Sequence, residues 1–269
     1  MTLVVGVVCK EGIVIGSDSQ TTMGSELKRI NRPSPKVLKL DNECIVFAGA
    51  GDVSVLQEVE EKVNVLLKDN KDKGLEYFKN NIDDTIFMIM KKHVRKHDEV
   101  FGHYKNMPTG EFVFGSCKSN PPMLCHFVMD GSSERVYDYV AVGSGMPYAE
   151  VLLKDSYRDN LSLEDSKYLV YSVIRDTEDV DNFVGGDIHI KVIKLDGSIK
   201  TISEGEISAL ESSYSVRKDI KKRLDKSWNK IEPKILSILG QEEAEMESKT
   251  ADLSTSKTLE KDKGEDVFN

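Results

Sequence analysis

Thirteen strand-like and helical segments follow one another in an order that few folds accommodate. Four short apolar runs come first: Leu3 to Cys9, Ile13 to Gly16, Val37 to Leu40 and Cys44 to Ala48. Three-residue turns, Lys10-Glu11-Gly12 and Asp41-Asn42-Glu43, join the runs of each pair into a hairpin. Two helical patterns follow. One carries Val55, Leu56, Val59, Val63, Leu66 and Leu67, with Asp52 or Ser54 as its cap; the other carries Leu75, Phe78, Ile82, Ile86, Ile89 and Met90. Strand patterns return at Glu111–Gly115, Met123–Met129 and Arg135–Val142, separated by turns at 119–122 and at Asp130-Gly131. Helices over Tyr148–Tyr157 and Leu163–Asp176 precede a last hairpin, Ile188–Leu195 with Ser198–Ile202, turning at Asp196-Gly197. Two antiparallel sheets, each covered by a helix pair, bury the apolar faces of such an order, so the fold class expected is α+β.

The second residue is where chemistry enters. Removal of an initiator Met before a small side chain would leave Thr2 with a hydroxyl and a free α-amine on one residue. An α-amine titrates at roughly 7.7–8.0, so near neutral pH part of it is unprotonated and can take the hydroxyl proton. Many ordinary proteins begin Met-Thr, so the reading depends on partners. Asp18 ends the second apolar run and Lys36 opens the third. If the two hairpins stack as one sheet, the starts of the first and third strands meet the end of the second. A hydroxyl, an ammonium and a carboxylate would then share one edge. The ammonium would lower the pKa of the hydroxyl and the amine. The N–H of Gly49, read as part of a loop, could face a developing oxyanion.

The segments Thr2…Gly6…Asp18-Ser19-Gln20-Thr21-Thr22-Met23-Gly24…Lys36-Val37-Leu38-Lys39-Leu40-Asp41…Ala48-Gly49 resemble the mature start of catalytic β-type proteasome subunits, which are N-terminal-nucleophile (Ntn) hydrolases. The resemblance resumes at Gly143 to Ala149 and at Asp181 to Asp187, and covers about residues 2 to 204. It implies a four-layer αββα sandwich. It also implies a threonine-type endopeptidase, with Thr2 as nucleophile, Asp18 and Lys36 as its charged partners and Ser144 beside the amine. Asp181 would be the distal aspartate and Gly49 the oxyanion glycine. Thr21, Thr22 and Phe47 would lie beside the scissile bond, with Phe47 at the base of the specificity pocket. Where the family usually has a serine three residues after the distal aspartate, this chain has Val184. The chain shows no long propeptide before Thr2, so Met-aminopeptidase processing is the simplest route to the mature residue.

The same resemblance implies a peptide or unfolded protein as substrate, a homo-oligomeric ring and an ATPase partner. It calls for no cofactor and no metal. Three other readings remain open. The chain could be an Ntn amidase or peptide ligase, a catalytically weak structural ring subunit, or a binding module in which Thr2 is incidental.

Composition narrows the setting. No run of about 18 apolar residues is present, and the opening stretch lacks a basic leader, so neither a membrane span nor a signal peptide is expected. A net charge of −9 argues against nucleic-acid binding and membrane surfaces. Cys9, Cys44, Cys117 and Cys125 lack metal-type spacing and read as buried reduced thiols of a cytoplasmic protein. The domain organisation expected is 1–204 as the Ntn-hydrolase domain, 205–240 as a helical extension kinked or ended by Pro233, and 241–269 as a disordered acidic tail. The extension is either a partner-docking or self-capping helix, or a peripheral helix packed on its own domain; the second is preferred. His93 and His97, four apart on a helix, sit among basic residues and read as a solvated face. His189 and Asp187 share strand parity, for which a structural pairing is preferred.

Overall fold

The computed structural model describes residues 2–23, 28–31, 36–40, 44–70, 73–102, 107–118, 122–228 and 231–232. It divides into two units, 1–211 and 212–269. In the first unit the strands are β1 (Leu3–Cys9), β2 (Gly12–Ser17), β3 (Gln20–Met23), β4 (Lys28–Asn31), β5 (Val37–Lys39) and β6 (Ile45–Gly51). After α1 (Val53–Leu67) and α2 (Leu75–Phe101) come β7 (Gly110–Ser116), β8 (Met123–Phe127), β9 (Ser133–Val136) and β10 (Tyr139–Gly143). The helices α3 (Met146–Ser156) and α4 (Leu163–Glu178) and the hairpin of β11 (His189–Lys194) and β12 (Ile199–Thr201) complete it.

Two five-stranded antiparallel sheets form, in the orders β10-β1-β2-β11-β12 and β5-β6-β7-β8-β9. The first and second hairpins therefore belong to different sheets, not to one as the sequence suggested. The reason is burial on both faces. β1 and β2 are buried at every position but Val8, so alternate residues must face different layers. Val4, Ile13 and Ile15 meet Val46, Ala48 and Val113 between the sheets. On the outer face of the second sheet, Phe47, Phe112, Phe114 and Phe127 pack with Val55, Val59 and Val63 of α1 and Phe78, Ile82 and Ile86 of α2. Each such buried side chain contributes about 1.5–3 kcal/mol. On the outer face of the first sheet, α4 lies along β1 and β2 and α3 along β10. The result is the αββα sandwich.

Three departures from the sequence reading bear on the site. Residues 20–23 and 28–31, which carry no apolar alternation, pair as the antiparallel strands β3 and β4, with Thr21 opposite Ile30 and Thr22 opposite Arg29. The single strand expected over Arg135–Val142 is two strands. β9 pairs with β8 in one sheet and β10 with β1 in the other, the chain crossing at Tyr137-Asp138. Finally, Gly49 is not in a loop. β6 continues through Gly51, with Gly49 opposite Phe112 and Ala50 opposite Glu111. A Cβ on Gly49 would lie 2.7 Å from Leu56 Cδ2, so the glycine there lets α1 pack closely on the strand.

The caps divide in the same way. Ser162 caps α4, accepting from Asp165 N at 3.1 Å, whereas the Asp52 carboxylate turns from its helix and accepts from Thr109 N at 2.7 Å. All four cysteines are buried and unbridged. His93 is bonded to Glu58 of α1 at 2.9 Å, across the α1–α2 interface, and is not part of a solvated face. Residues 204–228 are helical, and Pro233 and the 241–269 tail lie outside the described residues. Among the described residues no helix is long and apolar enough to cross a membrane.

Gly16 sets how closely α4 approaches the first sheet, because a Cβ there would sit 2.5 Å from Val170 Cγ1. Gly16→Ala should cost about 1–3 kcal/mol through overpacking. Urea denaturation should show that Gly16→Ala with Val170→Ala costs less than the sum of the two single changes.

Candidate active site

Asp18 follows directly on the end of β2, where the strand runs out beside the start of β1. Its backbone N–H donates to Leu3 O at 3.3 Å, and its carboxylate accepts from Leu3 N at 3.0 Å. The carboxylate is fully buried, and its second oxygen accepts from Gly185 N at 3.2 Å. Lys36 stands at the entry to β5 in the opposing sheet. Its ammonium donates to Asp18 Oδ1 at 3.0 Å, to Gln20 O at 2.6 Å and to Thr2 Oγ1. Thr2 is 3% exposed, and its hydroxyl thus lies against a cation whose other two partners are a carboxylate and a carbonyl. The convergence drawn from the sequence within one sheet exists instead across the gap between two.

Burial governs the charges. Removal from water pushes the Asp18 carboxyl above its ordinary value, opposed by Lys36 and by the N–H groups of Leu3 and Gly185. Burial likewise depresses Lys36, opposed by Asp18. A lysine made less willing to hold its proton, touching a threonine hydroxyl, can help to move that hydroxyl's proton and can stabilise the oxygen once it is gone.

The remaining candidate residues lie at differing distances from this group. Ser144 Oγ donates to Thr2 O at 3.5 Å. Gly143, at φ +102, has no room for a side chain, since a Cβ would lie 2.1 Å from Thr2 O and 3.0 Å from Ala50 Cβ. That packing sets Thr2 beside β6. The β5–β6 ladder ends at Val37 opposite Ala48, so Lys36 and Gly49 are the next residues at the same end. Asp181 is buried, but its carboxylate accepts from Phe183 N at 2.9 Å within its own loop. No hydrogen bond joins it to Thr2 or Ser144 among the described residues. Val184 is buried, and a Cβ on Gly145 would lie 2.8 Å from its Cγ2, so this loop packs tightly against the Ser144 turn.

Thr21 is buried in β3, and the backbone of Thr22 runs beside it. Phe47 shares a strand face with Gly49 and stacks with Phe112 and Phe114 at centroid distances of 6.0 and 5.0 Å. Gln20 and Gly185 were not singled out in the sequence, because they act through backbone atoms that any residue carries. A surface groove of about 580 Å³ beside β9, β10 and α3 contains none of Thr2, Asp18 or Lys36. Among the described residues no group of three His, Cys, Asp or Glu side chains could hold a metal ion.

A sandwich of two antiparallel sheets between helix pairs, with the start of β1 at one edge of the inter-sheet gap, is the Ntn-hydrolase fold. Comparison with known proteins gives the family. The proteasome subunit family model matches residues 2–193, and the chain belongs to that family. It is similar to proteasome subunit beta 2 of Pyrococcus furiosus, 28% identical over 197 residues that cover 73% of this chain and 88% of that one. It is also similar to the proteasome subunit beta of Methanosarcina thermophila, 28% identical over 195 residues, 71% and 86% of the two chains. Among solved structures, an Anbu (Gly-1) mutant from Hyphomicrobium sp. strain MC1 shares the fold with a TM-score of 0.61. Its sequence identity is 18%, covering 82% of this chain and 97% of that one.

The Asp18 carboxylate receives donors on both oxygens, which an amide cannot match because one of its two ends is itself a donor. Asp18→Asn should therefore set an NH2 group against Gly185 N–H or against Leu3 N–H and Lys36. It would also leave the ammonium without its countercharge. Denaturant titration should show a loss of about 3 kcal/mol.

Proposed function

We propose that this protein is a threonine-type endopeptidase whose nucleophile is Thr2, exposed as the first residue once the Met1–Thr2 bond is cut. The observation that carries the reading is the contact of the Lys36 ammonium with Thr2 Oγ1 while the same nitrogen is held by Asp18. In the reaction the α-amine of Thr2 accepts the hydroxyl proton, directly or through a water, and Oγ1 bonds to the substrate carbonyl carbon. The peptide C–N bond breaks, its nitrogen leaves with that proton, and an ester remains on Thr2 until water hydrolyses it. The Lys36 charge favours the ionised oxygen. The N–H of Gly49 faces the carbonyl oxygen as it gains charge, a role supported by its place at the Lys36 end of the β5–β6 ladder. Ser144 steadies the backbone of Thr2, a role supported by its contact with Thr2 O, while Asp181 keeps the shape of its own loop through Phe183 N.

Substrate lies along β3 as an added strand, fixed by the backbone at Thr21 and Thr22. The family membership supports a homo-oligomeric ring acting in the cytoplasm on peptides or unfolded chains, with an ATPase to deliver them. Val184 favours a second reading, a ring subunit of weak activity, because a buried aliphatic fills the place where the family usually carries a hydroxyl.

Intact mass spectrometry before and after a peptide epoxyketone separates the two readings. An active enzyme should lack Met1 and gain one adduct on Thr2, and Thr2→Ala should gain none. A native protein that retains Met1 and stays unlabelled would refute the peptidase. Phe47 lies in an aromatic cluster without charge. Among fluorogenic peptides that differ only at P1, those with small or medium apolar residues should be cleaved fastest; preference for Lys or Asp would contradict the assignment of Phe47 to that pocket.

A further inference from the structure

Asp18 is held not only by Lys36 but also by a turn in the loop between α4 and β11. Gly185 N donates to Asp18 Oδ2 at 3.2 Å, and Gly185 O accepts from Gln20 N at 2.9 Å. Gln20 in turn gives its own carbonyl to Lys36 and its side-chain amide to Asn182 O at 2.9 Å. The turn thus touches Asp18 directly and reaches Lys36 through Gln20. Its conformation needs glycine, Gly186 standing at φ +83. What holds the other side of the turn is an arginine. Arg175 of α4 donates through Nη1 to Gly186 O at 3.3 Å and to Glu178 at 2.7 Å.

The guanidinium is itself fixed from behind. Its Nε donates to Tyr171 Oη at 3.1 Å, its Nη2 to Glu211 at 3.3 Å, and the fully buried Tyr171 donates to the same Glu211 carboxylate. Glu211 lies on the helix that begins at 204. A reciprocal cap fixes that helix start: Glu206 N donates to Ser203 Oγ at 3.3 Å, and Ser203 N to Glu206 at 3.1 Å. Lys200 of β12 also bonds Glu206 at 2.7 Å. The first turns of the helix therefore leave β12 in a set direction and bring a carboxylate to Arg175.

We infer that Arg175, locked by Tyr171 and by Glu211 from the helical extension, is a positioning residue that sets the Gly185-Gly186 turn against Asp18. Its planar fork meets Gly186, Tyr171, Glu178 and Glu211 at once, which the single-point charge of a lysine could not do. The carboxylates serve to orient the fork, and the fork serves to hold a carbonyl whose neighbouring N–H stabilises ionised Asp18. Residues 204–211 are by this account part of the apparatus that readies Thr2, although none of them touches it. The inference rests on the threonine-peptidase reading.

Peptidase assays on the full chain test it. Glu211 is half-exposed, so Glu211→Ala opens no cavity and should leave the melting temperature within a few degrees of the parent. After counting active sites with the epoxyketone, kcat per labelled site should fall roughly tenfold with KM unchanged, the scale expected when a reacting group is slightly misplaced. Glu211→Gln, which keeps an acceptor for Tyr171 and Arg175, should recover part of that loss. The charged and titratable groups about Asp18 are Lys36 at the head of β5, the Thr2 amine at the head of β1, and His189 of β11 with its neighbour Asp187. Weakening the Gly185 N–H bond disfavours the ionised carboxylate, so the acid limb of kcat/KM should move to higher pH in Glu211→Ala. Arg175→Met should go further in the same direction. A per-site kcat equal to that of the parent, or a loss with the acid limb unmoved, overturns the inference while the peptidase reading stands. A parent protein without Thr2 labelling overturns both.

Discussion

The buried pair of Asp18 and Lys36 is the interaction on which the rest of this molecule turns. Neither charge could be withdrawn from water alone, because each unpaired ion would cost several kcal/mol. Together they become tolerable only because every remaining valence is met: Leu3 N–H and Gly185 N–H on the carboxylate, Gln20 C=O and the Thr2 hydroxyl on the ammonium. The four groups that meet these ions come from the start of β1, the start of β3 and the loop before β11. A displacement of any of those segments would leave a charge unpaired, so the ion pair and the placement of Thr2 are one structural problem.

That problem is solved by a gap between two sheets. Asp18 belongs to the first sheet and Lys36 to the second, so the distance between the sheets sets the length of the ion pair. Apolar packing sets that distance in turn, through Val4, Ile13 and Ile15 against Val46, Ala48 and Val113. Gly143 tunes the spacing where a Cβ would intervene, against the Thr2 carbonyl at the head of β1 in the first sheet and Ala50 of the second sheet. The hydrophobic core thereby acts on chemistry. It holds the Thr2 hydroxyl and the Lys36 ammonium at contact, in a place dry enough to shift the proton affinity of Asp18 and Lys36.

The segment after the last hairpin adds a second level of control to this arrangement. Beyond residue 193, where the family model's match ends, residues 204–211 are placed by a helix cap and bear a carboxylate that orients Arg175. Arg175 shares a turn with Asp18 through two consecutive peptide units, Gly185 and Gly186. An arginine suits such a junction because its fork spans several acceptors without giving up its proton.

Much of this was legible in the residues alone. The order of apolar runs gave the four helices and every strand of the two large sheets, with β9 and β10 merged into one, and the run lengths gave α1, α4 and the final hairpin nearly to the residue. Thr2, Asp18 and Lys36 stood out because a hydroxyl, a carboxylate and an ammonium at strand ends have few reasons to recur in one pattern. What local sequence could not carry was anything decided by a partner far along the chain. The β3–β4 pair has no alternation to announce it. The switch at Tyr137-Asp138 depends on which sheet has a free edge, and the place of Gly49 in a strand depends on β7. The donors that complete the site, Gly185 N–H and Gln20 C=O, are backbone atoms common to every residue, so no side-chain pattern marks them. The sequence by itself determined which chemical groups were available and on which kind of element each would stand. Only the tertiary structure decided that they meet across two sheets, because the depth of the core between those sheets is a sum of many packed side chains and belongs to no single segment.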